Sequence, residues 1–163
     1  ATCSWATLGK PSSRKPNIIS SLTLIPEEME AINLRLQARY REIEKNEVLY
    51  EEINCEDADY ILVAFGIMAR ISQKTMEMAR HEGLKVGLIR PITLYPFPTD
   101  VICKYSHQVK GMLSVELNAG QMVEDVRLST CGRIPVEHFG RLGGIVPSPD
   151  DVLEALKAKI INR

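Results

Sequence analysis

The sequence predicts an α/β fold in three layers with a mostly parallel sheet, because strand-like and helix-like segments alternate from residue 58 onward. The run 60–65 is apolar at almost every position and ends at Gly66, which is typical of a strand covered on both faces. The segment 67–81 that follows has apolar residues at helical spacing and stops before Gly83. A second apolar run, 85–89, then begins the next strand–helix unit.

The remaining elements are expected in the same order. We expect further strands over 111–117 and 135–139, and further helices over 99–107 and 121–128. Ser148 is a candidate N-cap for a closing helix that runs to about Lys159, since a proline and two aspartates follow it.

Three regions are expected along the chain: a connector over 1–25, a linker helix over 26–46 and the α/β domain over 47–163. Prolines, serines and a glycine break any periodicity in the connector, which we interpret as leading from a missing N-terminal domain, so that the chain is a fragment. Trp5 is either an isolated surface aromatic or an anchor for that domain. The linker helix has one narrow apolar stripe, formed by Met29, Ile32, Leu36, Tyr40 and Ile43.

The composition fits a globular protein and argues against several classes of function. A formal net charge of −1 gives no electrostatic case for binding nucleic acid or an anionic membrane. The four cysteines show no CxxC motif and the three histidines lie far apart, so neither a metal site nor an iron–sulfur cluster held by this chain alone is indicated. Free thiols in a reducing cytoplasm are favoured. No apolar run reaches the roughly 20 residues of a membrane span.

The segment 90–98, Arg-Pro-Ile-Thr-Leu-Tyr-Pro-Phe-Pro, is the most distinctive stretch of the chain. Each of its three prolines removes a backbone donor and fixes φ, so we expect the chain to leave the sheet here as a stiff loop. The loop is expected to carry Tyr95 and Phe97 outward. A loop so constrained is more often a functional or interface feature than a simple connection.

Polar residues fall at the carboxyl ends of the expected strands, which meet at one edge of a parallel sheet. The residues that would share this edge are Arg90, Glu116, Asn118 and Arg141. An internal network of salt bridges and helix caps is the favoured interpretation; a surface that receives another domain or subunit comes second, and a catalytic group last. Gly120 permits a tight turn whose donors could face an anion, which is a weak signal by itself because no GxGxxG or P-loop pattern is present. A phosphate cradle at the glycine-rich segment 141–144 is disfavoured, since that segment has no lysine and no following helix.

Several segments, in a fixed order, resemble the alpha subunits of the 2-oxoacid:ferredoxin oxidoreductases. The segment 90–98 resembles the family signature RPITL-aromatic-PFP. The other matching segments are 56–60, 63–66, 69–71, 87–89, 115–127, 140–141 and 143–144. Each is weak by itself, but the combination is specific and, with the linker helix, covers nearly the whole chain. The resemblance looks closest to the 2-ketoisovalerate and 2-oxoglutarate enzymes.

The resemblance implies a domain similar to the C-terminal domain of transketolases, which shapes subunit contacts and is not itself catalytic. Enzymes of this family decarboxylate a 2-oxoacid on thiamine diphosphate, pass electrons through iron–sulfur clusters to ferredoxin, and form an acyl-coenzyme A. The implied partners are a thiamine-binding beta subunit and a ferredoxin-type cluster subunit. No cofactor is expected on this chain alone, which has no GDG motif, and the chain alone is expected to be inactive. The motif residues expected to build interfaces are Arg90, Pro91, Thr93, Tyr95, Phe97, Glu116, Asn118, Gly120, Gln121 and Arg141.

Two other functions stay open at this stage. One is a stand-alone flavodoxin-like module that binds a nucleotide or coenzyme A at the strand edge. The other is the equivalent domain of a 2-oxoacid dehydrogenase or a transketolase, which is disfavoured because those families differ at the proline-rich loop. Exposure of Tyr95 and Phe97 would also favour a homodimer of the isolated chain.

Overall fold

The computed structural model describes residues 9, 12–16, 18 and 20–162. The chain divides into two units, Ala1–Tyr40 and Arg41–Arg163. Helix α1 spans Pro26–Asn46, the bounds that the sequence predicts, and none of these described residues is buried. The roles of the connector and of α1 as a linker stay predictions, and Trp5 lies outside the described residues.

Within the described residues, the second unit contains a five-stranded sheet in the order β1-β3-β2-β4-β5. The strands are β1 (Tyr50–Ile53), β2 (Tyr60–Ala64), β3 (Val86–Pro91), β4 (Gly111–Glu116) and β5 (Val136–Gly140). The helices are α2 (Gly66–His81), α3 (Thr99–Tyr105), α4 (Met122–Thr130) and α5 (Pro149–Leu156), which continues as a π-helical turn over Lys157–Ile161. Only β1 is antiparallel to its neighbour, so the predicted mostly parallel α/β fold is confirmed.

The core lies on both faces of the sheet, because the central strand β2 is apolar in both directions. Ile61 and Val63 pack against α3 and α4 on one face. Leu62 and Ala64 pack against α2 and α5 on the other face. All four side chains are fully buried, which accounts for the three layers that the sequence predicts.

Strand β1 is an element that the sequence patterns did not indicate. Its residues, Tyr-Glu-Glu-Ile, form no apolar run and are mostly exposed, so nothing in their hydropathy identifies a strand. It forms by pairing with β3, where Glu51 lies opposite Arg90 and the two side chains meet at 2.9 Å. This pairing extends β3 to Pro91, so the expectation that the loop begins at Arg90 is wrong: it begins at Ile92.

The start of α5 is a helix boundary that the sequence predicts correctly from its capping residue. The Ser148 hydroxyl accepts the N–H of Asp151 at 3.2 Å, and the Asp151 carboxylate accepts the N–H of Ser148 at 2.8 Å. This reciprocal pair is a capping box, and it confirms Ser148 as the N-cap. None of the described helices is both long and apolar enough to cross a membrane.

Candidate functional site

The strand order changes direction between the central strands β2 and β4, which is the topological switch point of the sheet. The chain goes from β2 outward to β3 on one side, and from β4 outward to β5 on the other side. Open α/β sheets place their ligands beside the carboxyl ends of the strands at this point. Here the depression measures only about 140 Å³ and is lined in part by Phe65, Leu94, Glu116 and Asn118. Small-molecule pockets are usually larger, at roughly 300–1,000 Å³.

Glu116 occupies the place where an anion would bind. Its buried carboxylate accepts the N–H groups of Gln121 at 3.1 Å, Met122 at 2.8 Å and Val123 at 3.0 Å, and the hydroxyl of Ser114 at 3.0 Å. These N–H groups open helix α4, so the carboxylate satisfies donors that would otherwise have no partner inside the helix. Burial alone would raise the pKa of Glu116, but the hydrogen bonds hold that pKa below its ordinary value.

This arrangement limits the chemistry of the turn. The donors at the start of α4 are already bonded to Glu116, so they are not offered to a phosphate or another external anion. A carboxylate that is shielded from solvent and held ionised is also poorly suited to accept a proton from a substrate. The geometry therefore gives no support to an anion site in this turn, and Glu116 acts as a structural cap of helix α4.

Asn118 and Gly120 shape the turn between β4 and α4. The Asn118 side-chain oxygen accepts the N–H of Gly120 at 2.7 Å, and Gly120 has a φ of +108°, which favours glycine. Gly140 at the end of β5 comes so close that a Cβ there would lie 2.2 Å from the carbonyl oxygen of Asn118. The neighbouring His138 has its Nε2 3.9 Å from a Glu116 oxygen and is packed here without a hydrogen bond to that nitrogen from any described residue.

The four residues expected to share this edge do not form one cluster. Arg90 bonds Glu51 across the β1–β3 pair, and Arg141 is exposed beyond β5. Only Glu116 and Asn118 line the same depression. The predicted polar network is therefore two separate features, a cross-strand ion pair and a helix cap.

The loop after β3 is held from within by Thr93. Its hydroxyl accepts the N–H of Leu49 at 3.0 Å and donates to the carbonyl oxygen of Pro96 at 2.9 Å. Pro96 and Pro98 are both buried. These contacts fix the loop against β1 and explain how it can be stiff, as the sequence predicts.

The two aromatic residues of the loop have opposite orientations. Tyr95 is 60% exposed and donates its hydroxyl to Glu44 at 3.2 Å, as expected of an outward side chain. Phe97 is half-buried and packs on the core that includes Val101 and Ile102. The expectation that Phe97 points outward is wrong, because its ring covers one end of that core.

Large apolar side chains are exposed after the end of every parallel strand, and we call this set the carboxyl-edge surface. It consists of Ile67 after β2, Ile92, Leu94 and Tyr95 after β3, Leu117 after β4, and Leu142, Ile145 and Val146 after β5. Leu94 lines the same depression as Glu116, which joins the β3 and β4 parts of the surface. Of this set, the sequence analysis named Tyr95 alone as a site residue, although Ile92, Leu94 and Leu117 lie within the two motifs; the overlooked signal was an aliphatic residue soon after each strand end.

The described residues contain no group of three or more histidine, cysteine, aspartate or glutamate side chains placed to hold a metal ion. Cys55, Cys103 and Cys131 are free thiols, and Cys3 lies outside the described residues. Burial raises the pKa of Cys55 to about 11, so this thiol stays protonated and unreactive near neutral pH.

Comparison with known proteins places the α/β unit in a family. The family model of the pyruvate:ferredoxin oxidoreductase core domain II matches residues 58–152. The ketoisovalerate oxidoreductase subunit VorB of Methanothermobacter thermautotrophicus is 43% identical over 154 residues, which make up 94% of this chain and 43% of that relative. The chain thus spans less than half of the length of this relative.

Solved structures share the fold. The 2-oxoglutarate:ferredoxin oxidoreductase from Magnetococcus marinus, with 2-oxoglutarate, coenzyme A and succinyl-CoA bound, matches with a TM-score of 0.72 over 84% of this chain and 24% of that one, at 21% identity. A split-gene transketolase, described as an inactive beta4 tetramer, matches with a TM-score of 0.59 over 68% of this chain and 41% of that one, at 18% identity. At these identities the likeness shows the fold alone, and it confirms the transketolase-like fold that the family resemblance implies.

Proposed function

The chain belongs to the pyruvate:ferredoxin oxidoreductase core domain II family, and we propose that it is the C-terminal, non-catalytic interface domain of a 2-oxoacid:ferredoxin oxidoreductase. The intact enzyme would use thiamine diphosphate to decarboxylate its substrate oxidatively and form an acyl-coenzyme A. We infer 2-ketoisovalerate as the substrate, because the relative that is 43% identical over most of this chain is a ketoisovalerate oxidoreductase subunit.

The observation that carries the interface role is the carboxyl-edge surface. Its side chains are 39–60% exposed and follow the ends of all four parallel strands, at the edge where α/β domains usually meet ligands or partners. A monomeric protein rarely exposes so many large apolar side chains on one edge without a partner. The usual ligand position on this edge is closed by Glu116, which leaves contact with another protein surface as the better use.

The partner that we propose for this surface is the thiamine-diphosphate-binding part of the same enzyme, which in the family is a beta subunit. A ferredoxin-type subunit would carry the iron–sulfur clusters, and this chain would belong to the alpha subunit. More than half of the length of the ketoisovalerate relative has no counterpart in this chain, so the catalytic machinery has room to lie elsewhere. We place the enzyme in the cytoplasm, where the free thiols of Cys55 and Cys131 would persist.

The residues of the two motifs would have different parts in this interface. Tyr95 and Gln121 are exposed and would contact the partner, and exposed Arg141 would lie at its border. The residues that would hold the contacting surface in shape are Arg90, Pro91, Thr93, Phe97, Glu116, Asn118 and Gly120.

Reconstitution of activity tests this proposal. The rest of the enzyme complex would be supplied with 2-ketoisovalerate, coenzyme A and thiamine diphosphate, and the reduction of a viologen dye would be followed with and without this chain. We expect dye reduction only when the chain is added, and a faster rate with 2-ketoisovalerate than with 2-oxoglutarate or pyruvate.

Two results would overturn the proposal. Full activity without the chain would show that it completes no assembly. Activity in neither case with any of the three substrates would favour the stand-alone binding module, which titration of the chain with coenzyme A would then examine.

A further inference from the structure

The two outer strands of the sheet differ in how their free edges are treated. On β5, the carbonyl oxygen of Pro135 accepts the N–H of Met112 in β4. The main-chain N–H and C=O groups of the alternate residues Val136 and His138 therefore point away from β4, toward the free edge. The carbonyl oxygen of Val136 accepts a hydrogen bond from Arg127 Nε at 3.3 Å, and the carbonyl oxygen of His138 accepts one from Lys159 Nζ at 2.7 Å. Two cationic side chains therefore cover this edge, which is a common protection against strand pairing.

Among the described residues, none covers the free edge of β1 in this way. The carbonyl oxygen of Leu49 accepts the N–H groups of Ile92 and Thr93, so the main-chain groups of Leu49 point toward the β3 side. In an antiparallel pair the direction alternates, so the main-chain groups of Tyr50 and Glu52 point away from β3. No described residue makes a hydrogen bond to the outward N–H and C=O groups of Tyr50 and Glu52. This leaves two residues of a strand ready to pair with another chain.

The charges on β1 do not repel an incoming strand, because each is compensated within the domain. Glu51 pairs with Arg90 at 2.9 Å. Glu52 accepts the hydroxyl of Tyr105 and lies 3.4 Å from Lys104 Nζ. The acidic side chains are thus held by their own domain, while the outward main-chain groups of Tyr50 and Glu52 have no hydrogen bond from a described residue.

A cleft of about 610 Å³ opens directly beside this edge. Tyr50 lies at both the edge and the cleft, whose other walls are the end of α1, Val48 and the segment 95–101. The walls include Tyr95, Phe97 and two prolines, so the cleft suits an apolar side chain. The cleft also holds the carboxylates of Glu44 and Asp100 against the single ammonium of Lys45.

We propose that the free edge of β1 and this cleft together bind an extended segment of the rest of the enzyme. The segment adds a strand to the sheet through Tyr50 and Glu52, places an apolar side chain in the cleft and brings a basic side chain to Glu44 and Asp100. Sites that bind an added strand combine an edge strand with an adjacent pocket. The edge strand supplies main-chain hydrogen bonds for affinity, and the pocket accepts a side chain and supplies selectivity.

The occupant follows from three observations and rests on the proposed function. Tyr95 belongs both to this cleft and to the carboxyl-edge surface, so a partner bound at that surface reaches the cleft directly. More than half of the ketoisovalerate relative lies outside the matched residues, which leaves ample chain to supply a segment. A second copy of β1 would bring two glutamates and no basic residue to an already acidic cleft.

Amide hydrogen exchange in the reconstituted complex tests the inference. We expect the amides of Tyr50 and Glu52 to exchange at least about tenfold more slowly in the complex than in the chain alone. The amide of Glu51 faces β3, so it should be protected in both samples and serves as the internal control.

Three results would overturn the inference. Unchanged exchange at Tyr50 and Glu52 in a complex that assembles would contradict it while leaving the proposed function intact. Protection that appears in the chain alone and rises with its concentration would assign the edge to a second copy. Failure of the chain to assemble would remove the proposed function, and this inference with it.

A proline substitution separates the main-chain contact from the side chain. Glu52→Pro removes the outward N–H and should weaken assembly by about tenfold, whereas Glu52→Ala keeps that N–H and should weaken it by less than about threefold. Thermal unfolding of both variants shows whether the domain is still folded. Equal assembly by two folded variants would contradict the proposal.

Discussion

The turn after β4 and the loop after β3 lie at the same edge of the sheet, yet they use their side chains in opposite ways. The turn folds inward: its carboxylate, on Glu116, is buried and accepts four hydrogen bonds. The loop is fixed from within by Thr93 but exposes Ile92, Leu94 and Tyr95. Two motifs that look equally functional in the sequence thus have different physical roles.

The difference shows how a structural feature can be distinguished from a contact surface. A buried polar group with all its partners inside the domain matters for folding, because its removal leaves those partners buried without a hydrogen bond. An exposed apolar side chain contributes little to the stability of the folded domain. It stabilises a complex when a partner surface covers it and removes it from water. Substitutions in the turn should therefore change stability, and substitutions in the loop should change assembly.

The largest effect is expected from Glu116→Ala. The substitution leaves the first N–H groups of α4 and the Ser114 hydroxyl buried without their acceptor, and we expect the free energy of unfolding to fall by about 3 kcal/mol or more. Glu116→Gln keeps the size of the side chain and one acceptor oxygen, so it should lower the free energy of unfolding by about 2 kcal/mol. Urea unfolding of the purified chain at neutral pH measures both; a loss under 1 kcal/mol for alanine would contradict the cap.

The pH dependence of stability sharpens the same point. The pKa of Glu116 is lowered in the folded chain, so its contribution is fully present above the ordinary glutamate pKa of 4.5 and is lost as the pH falls through the lower folded value. The wild-type chain should therefore lose stability on acidification below pH 4.5, and Glu116→Gln should lose less. The lowered pKa values of Asp57 and Asp151 act in both proteins and cancel in the difference. Parallel unfolding curves at every pH would show that Glu116 is not the titrating group.

The loop should give the opposite pattern when Leu94 is changed to serine. Leu94→Ser should weaken binding to the rest of the enzyme by about tenfold, because it removes an apolar contact from the carboxyl-edge surface. Leu128→Ser is a matched control, since Leu128 is more exposed but lies in the last turns of α4, away from that edge. It should change binding by less than about twofold. Equal weakening by both variants would argue that the surface is not specific.

A small effect on stability is expected at Arg90. Its ion pair with Glu51 is nearly half exposed, so Arg90→Ala should cost less than about 1 kcal/mol of folding free energy. In the intact enzyme we expect this variant to weaken assembly more than it changes the affinity for thiamine diphosphate. Calorimetric titration with the cofactor and sedimentation of the complex separate the two. Unchanged assembly with lost cofactor binding would refute this prediction.

Much of this architecture could be predicted from the sequence because the central strands are apolar on both faces. Ile61 to Ala64 cannot be placed in any partly exposed strand, and the Ser148–Asp151 pair identifies a helix start from local chemistry alone. Strand β1 could not be found this way, because its existence depends on pairing with Arg90 and Pro91, which are remote in the sequence. The strand propensity of residues 50–53 carries no information about a contact with residues so far away in the sequence.

The candidate site was harder to predict than the fold. The turn around Glu116 and Gly120 was recognised as a motif, but its inward use depends on the spatial position of the Gln121 and Met122 amides. Phe97 looked like Tyr95 in the sequence, and only the packing of its ring on the core separates the two.

The most direct test of the interface assignment is a titration of dye-reducing activity with the double variant Leu94→Ser and Leu142→Ser. The rest of the enzyme would be held constant while wild-type or variant chain is added, and the half-maximal concentration and the plateau rate would be measured. Because both substitutions would lie at the proposed contact and outside the proposed catalytic part, we predict a half-maximal concentration raised by at least about tenfold with an unchanged plateau. An unchanged half-maximal concentration, or a lost plateau without a shift, would contradict the account.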